Sequence, residues 1–356
     1  MGITRRAGCK SITRYRSQKL ALCIEYKLIF IFSAFYLKDM GLLDIDYDNL
    51  VVKKDIVKDR TIFTIDNFYK YPNMIIKVYN ELQQRIPTYE TTNDKYPGRR
   101  MDMLDLLSEN IIDRHIDDLK KLLITHGFDH SKFLSKNEET ELNTSLGYRK
   151  SGLSISKFDK KIGLDNPVTQ TGAGSMANPH SDGSPRGTCV NRLACICYLS
   201  KDVHGGTGVY RNKELDVYSL DAEFSNKISQ QVIQKLESVG ARSLEEQATI
   251  IENMYTNLHR KLFPRKSSDG FMNETNEHYE MLHLFSMKFN RIIVYDSDLL
   301  HAMYMKDVDF FDTHERLTSN YFILQKWMTP SIVQDRFENL LKISKKFRPG
   351  LTSVLL

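Results

Sequence analysis

His180-Ser181-Asp182, set directly behind Asn178-Pro179 and followed 121 positions after His180 by His301, constrains the fold more than any other feature of this chain. The residue before a proline is pushed out of the α region, and Pro179 has no N–H to give a helix, so the segment reads as extended. Side chains at i and i+2 of an extended segment point to one face, which lets His180 and Asp182 converge on a single ion. Two imidazoles and a carboxylate bind one face of a ferrous ion and leave the other open. The third ligand must then arrive from a separate strand. Arg291–Asp298 reads as a strand and turn that delivers Leu299-Leu300-His301, so the candidate metal ligands are His180, Asp182 and His301. Arg316-Leu317-Thr318 opens another β-rich run, with Arg316 and Thr318 on one strand face. A guanidinium fork beside a hydroxyl is a receptor for a carboxylate, since it engages both oxygens and keeps its charge.

At these residues the chain resembles the Fe(II)- and 2-oxoglutarate-dependent dioxygenases, whose pattern is His-x-Asp, a distant His, and then Arg-x-Ser/Thr. Cys195-Ile-Cys-Tyr-Leu-Ser-Lys-Asp202 with Gly205-Gly206 is similar to the tyrosine–leucine strand and glycine pair of the prolyl-hydroxylase-like branch. Thr64-Ile-Asp-Asn-Phe68 and Tyr96-Pro-Gly-Arg-Arg100 resemble that branch's lead-in. The resemblance implies an α+β fold: a double-stranded β-helix (jelly-roll, cupin-like) core flanked by N-terminal helices. It also implies a hydroxylase in which His180, Asp182 and His301 hold Fe(II) while Arg316 and Thr318 bind the far carboxylate of 2-oxoglutarate. Tyr198 would add a hydrogen bond to that carboxylate, although it reads equally well as a core tyrosine. Succinate and CO2 would be released, with ascorbate as a candidate reductant.

Within that superfamily Asp182 favours hydroxylation, because the related halogenases lack this carboxylate and use the vacancy for halide. Arg316-Leu-Thr-Ser-Asn-Tyr-Phe322 departs from the Arg-x-Asn-x-Thr-x-Arg line of the nucleic-acid demethylases. The expected substrate is an amino-acid side chain, small-molecule or peptidyl, or a related small molecule. Two other classes stay open: a cupin-type metalloenzyme that does not use 2-oxoglutarate, and a catalytically silent β-barrel binding module.

Charge is informative mainly by its distribution. The chain carries +5 overall, but residues 1–40 hold eight Lys or Arg against Glu25 and Asp39, which leaves the remainder nearly neutral. A nucleic-acid surface is therefore not expected. Five cysteines without paired metal spacing fit a reduced, cytoplasmic setting, and Cys195 and Cys197 share a strand face as small core residues. Leu28–Leu37 is an uncharged run of ten residues, short of the ~20 needed for a membrane span. It reads as a signal-like or anchoring segment or as an extension upstream of Met40, so membrane contact is expected only if it anchors. Oligomeric state is not legible.

The remaining organisation follows from periodicity. Residues 41–330 read as one dioxygenase domain and 331–356 as a C-terminal helix and tail. Asn73–Ile86 and Met103–His126 show helical spacing, and strands are expected near 153–158, 174–182, 192–199, 208–211, 291–295, 301–305 and 316–324. Between about 220 and 280 the pattern turns helical, at Asn226–Leu236 and Leu244–Leu262. This is an insertion that separates the two histidine ligands, either as a lid over the site or as a packing element. His126 and His130 are four apart but are interrupted by Gly127, and they read as surface histidines.

Overall fold

In the computed structural model the described residues are 41–326, apart from 86–89, 93–97, 104–106, 141–152, 159–178, 183–189, 203, 241–242, 265–271, 273, 306 and 308. The expectations for residues 1–40, for the C-terminal helix at 331–356 and for the strand at 174–178 lie outside them. No helix among the described residues is long and apolar enough to cross a membrane.

Among the described residues two antiparallel sheets and four long helices make a mixed α+β architecture. In chain order the elements are β1 Val51–Val57, β2 Arg60–Asp66, α1 Pro72–Arg85, β3 Glu90–Thr92, β4 Gly98–Asp102, α2 Glu109–Thr125, β5 Ser154–Phe158 and β6 Val190–Tyr198. They continue with β7 Gly206–Asn212, α3 Ala222–Ser238, α4 Leu244–Leu262, β8 Tyr279–Ser286, β9 Arg291–Asp296, β10 His301–Tyr304 and β11 Leu317–Lys326. The large sheet runs β1-β2-β9-β6-β11-β5-β4-β3 and the small one β10-β7-β8, to which His180 adds a bridge at His301. From β5 onward the chain crosses between sheets repeatedly, placing β6, β9 and β11 in the large one and His180, β7, β8 and β10 in the small one. Among the described residues the two sheets are open layers and do not close into a barrel.

Alternation along the central strands decides what each face touches. On β11, Leu317, Tyr321 and Ile323 join Cys195, Cys197, Ile292 and Val294 in a core shared with α1 and α2. The intervening residues point the other way, where Ala194, Tyr198, Ile293 and Tyr295 meet Val209 and Phe285 of the small sheet. Helix α2 buries Ile112, Ile116, Leu119 and Leu123 at spacings of three and four. Each such side chain contributes about 1.5–3 kcal/mol when fully buried. Cys195 and Cys197 are buried free thiols, as their shared face led us to expect.

Helix α2 starts later than its periodicity suggested. Met103 extends the β4–β5 pairing instead, its N–H donating to the Leu153 carbonyl, and the helix opens at Glu109 behind Ser108. The expected helical insertion is α3 and α4. Asp221 caps α3 by accepting from the Phe224 N–H, and Ser243 with Glu246 forms a reciprocal capping box on α4. The hairpin has its own small core of Val232, Leu236 and Ile251. It is tied to the sheets at its base, where Asn212 and Tyr279 both donate to the Leu262 carbonyl and Lys261 pairs with Glu214 at 2.8 Å.

Candidate metal centre

The site is assembled by one turn. Between β9 and β10 the carbonyl of Ser297, itself fully buried, accepts from the Asp182 N–H at 2.9 Å and from the Ser181 hydroxyl at 3.2 Å. His180 and His301 then exchange backbone hydrogen bonds of 2.9 and 2.8 Å, which locks the extended 180–182 segment against β10. Arg192 secures the same segment from the large sheet by donating to the Asp182 carbonyl, while its guanidinium lies 4.6 Å from the Phe322 ring centroid. The turn is held from behind by Arg60 on β2, which sits among Asp59, Asp221, Asp296 and Asp298. Burial, with Asp296 beside it, raises the Asp298 carboxyl to about 7 despite Arg60.

The result is a compact donor set. Ligand atoms of His180, Asp182 and His301 all lie within 4.8 Å of one another, with Asp182 oxygens 3.8 Å from His180 Nε2 and 3.3 Å from His301 Nε2. His301 Nδ1 donates to the Leu299 carbonyl at 2.9 Å, which leaves Nε2 facing the centre. Burial works against ionisation of Asp182, yet His301, His180 and Arg192 hold its carboxyl well below the usual range. Burial likewise opposes protonation of His301, but Asp182 wins and raises its pKa. Two neutral imidazoles and one carboxylate in this arrangement can hold a divalent cation; they fit iron as they fit other first-row metals.

The centre opens into a cavity of about 110 Å³ between the sheets. Arg316 and Thr318 line it, on one face of the strand as expected, and Asn320 and Phe322 continue that face toward the metal ligands. Arg316 is 3% exposed, and its nearest protein acceptor is the Gly206 carbonyl at 3.5 Å. Among the described residues its Nε has no partner and no carboxylate pairs with it. A buried cation without an anion is costly. Thr318 accepts from Asn320 Nδ2 at 3.0 Å, and Asn320 also donates to Ser156, to which Arg100 donates at 3.2 Å.

Tyr198 packs beside Arg316. Its hydroxyl is engaged by Thr207 at 2.7 Å, and its ring lies 5.8 Å from the Arg316 guanidinium carbon. Its ring supports Arg316 from one side. His126 stays outside the site, its ring bonded to the Leu122 carbonyl of its own helix.

Cavity residues that the sequence reading left unassigned include Arg100, Ser154, Asn320 and Phe322. For Asn320 and Phe322 the signal was present, since i+2 and i+4 from Thr318 share its strand face. Arg100 and Ser154 come from strands two and one removed from β11, and no local pattern ties them to it.

A family described as being of unknown function, DUF6445, matches residues 242–323. That stretch takes in α4, His301, Arg316 and Thr318, but not His180 or Asp182. No curated protein and no solved structure matches the chain.

Proposed function

We propose that the chain is an Fe(II)- and 2-oxoglutarate-dependent dioxygenase of the prolyl-hydroxylase-like branch, built on a double-stranded β-helix and hydroxylating an amino-acid side chain or related small molecule. The observation that carries the reading is Arg316: a buried guanidinium whose Nε has no partner among the described residues, in the same cavity as a His-Asp-His donor set. A dicarboxylate chelating the metal at one end and reaching Arg316 at the other would supply the missing anion. The crossing of successive strands between two facing antiparallel sheets supports the β-helix assignment.

Each residue then has a defined task. His180, Asp182 and His301 would hold the metal, which supplies oxygen activation when bound. Arg316 would fix the far carboxylate of 2-oxoglutarate with Thr318 beside it, and Tyr198 and the Gly206 carbonyl keep the guanidinium in place. Ala194, Ile196, Met303 and Phe322 give the cavity apolar wall, which excludes water around the reacting centre.

Anaerobic titration with Fe(II) and then 2-oxoglutarate tests the reading. The expected result is the visible metal-to-ligand band of a chelated 2-oxo acid, abolished in Asp182→Ala and weakened at least tenfold in affinity in Arg316→Met. A protein that binds metal but never develops the band is a metalloprotein of another kind. One that binds neither is not an enzyme of this class.

A further inference from the structure

We propose that Tyr295 is a binding residue of this site, its hydroxyl donating a hydrogen bond to an oxygen of a small carboxylate held at the His180–Asp182–His301 centre. The identity of that carboxylate as the chelating end of a 2-oxo acid rests on the reading above; the hydroxyl's need for an acceptor does not.

Tyr295 lies on β9 and faces the space between the sheets, where it is fully buried. Its ring packs edge-on against His301, with centroids 4.9 Å apart at 67°. Packing accounts for the ring and leaves the hydroxyl unexplained, because that oxygen has no hydrogen-bond partner among the described residues. Buried polar atoms are nearly always paired, and leaving one unpaired costs enough that phenylalanine would serve the core better. The orphan also has company. Arg316 Nε is a second unsatisfied donor facing the same inter-sheet space, while Asp182, the only carboxylate lining the cavity among the described residues, is committed to the cation. An excess of donors around a cation site is the complement of an anionic ligand with an acceptor at each end. Tyr295, against His301, would serve the metal-bound end, and Arg316 the far end.

Tyr295→Phe removes the oxygen and keeps the ring on His301. Mn(II) serves as the probe metal, and oxalate, which lacks a far carboxylate, is compared with 2-oxoglutarate by calorimetry on the Mn(II)-loaded protein. The expected result is a melting temperature no lower than wild type, Mn(II) affinity unchanged within twofold, and both anions bound about tenfold or more weakly. Arg316→Met should weaken 2-oxoglutarate and spare oxalate. Wild-type affinity of Tyr295→Phe for both anions overturns the assignment, as does a parallel loss of Mn(II), which would make Tyr295 a support for His301 only. If wild-type protein binds oxalate but not 2-oxoglutarate, the co-substrate reading fails while a weakened oxalate still upholds Tyr295.

Discussion

Protonation of one buried histidine should make a measurable contribution to the acid lability of the fold. His115 on α2 is 3% exposed and spans three elements: its Nδ1 meets the Leu43 carbonyl at 2.8 Å and its Nε2 the Tyr321 hydroxyl on β11 at 3.0 Å. A carbonyl can only accept, so Nδ1 carries the proton and Nε2 accepts from Tyr321. Burial drives the ring's pKa from 6.5 down to about 4, with the Leu43 hydrogen bond opposing. The sign follows from linkage. A histidine depressed in the folded state is protonated first in the unfolded chain, so its stabilising contribution is complete above about 6.5 and is lost as pH falls toward 4. At 1.36 kcal/mol per pH unit over that interval, the loss is about 3 kcal/mol. His115→Gln keeps a donor for Leu43 and an acceptor for Tyr321 without a titrating proton. Urea unfolding at pH 7.5 and 4.5 should show a pH-dependent loss that is smaller in the variant by most of that amount. Identical pH dependence in the two proteins would refute the argument.

Two further outcomes follow. Gly206 sits at φ +155, and a β-carbon added there would collide with the Phe285 carbonyl oxygen. Gly206→Ala should cost about 1–3 kcal/mol of stability and, by moving the carbonyl that receives Arg316, weaken 2-oxoglutarate more than Mn(II) in paired calorimetry. Metal affinity should itself rise with pH. Because Asp182 raises the His301 pKa against the effect of burial, Mn(II) must displace a proton until the pH exceeds that elevated value, and then the curve flattens. In the metal-free protein the sign reverses, since a raised histidine stabilises most below about 6.5 and loses that contribution as pH climbs through its folded value. A flat affinity profile from pH 6 to 8.5 would count against His301 as a ligand.

What the sequence determined by itself is the local geometry of the site. Pro179 and the i, i+2 spacing put His180 and Asp182 on one face, and the same rule put Arg316 with Thr318, because side-chain direction in a strand is a property of two neighbouring residues. The helical hairpin was legible too, since α3 and α4 carry both periodicity and polar residues suited to their caps. Other elements were not. The β1–β2 hairpin turns at Lys58-Asp59, with Lys58 at φ +59, and so lacks the glycine or asparagine that marks such a turn. Strand β8, Tyr279–Ser286, begins at the far end of the expected insertion and runs past it, where the sequence reading placed no strand.

Tertiary structure alone decided which distant groups meet. It set the Ser297 carbonyl to hold the segment bearing His180 and Asp182 and, among the described residues, left Arg316 buried with no anion and the Tyr295 hydroxyl without a partner. Burial and partnership are sums over the whole packed chain, and no window of sequence contains them.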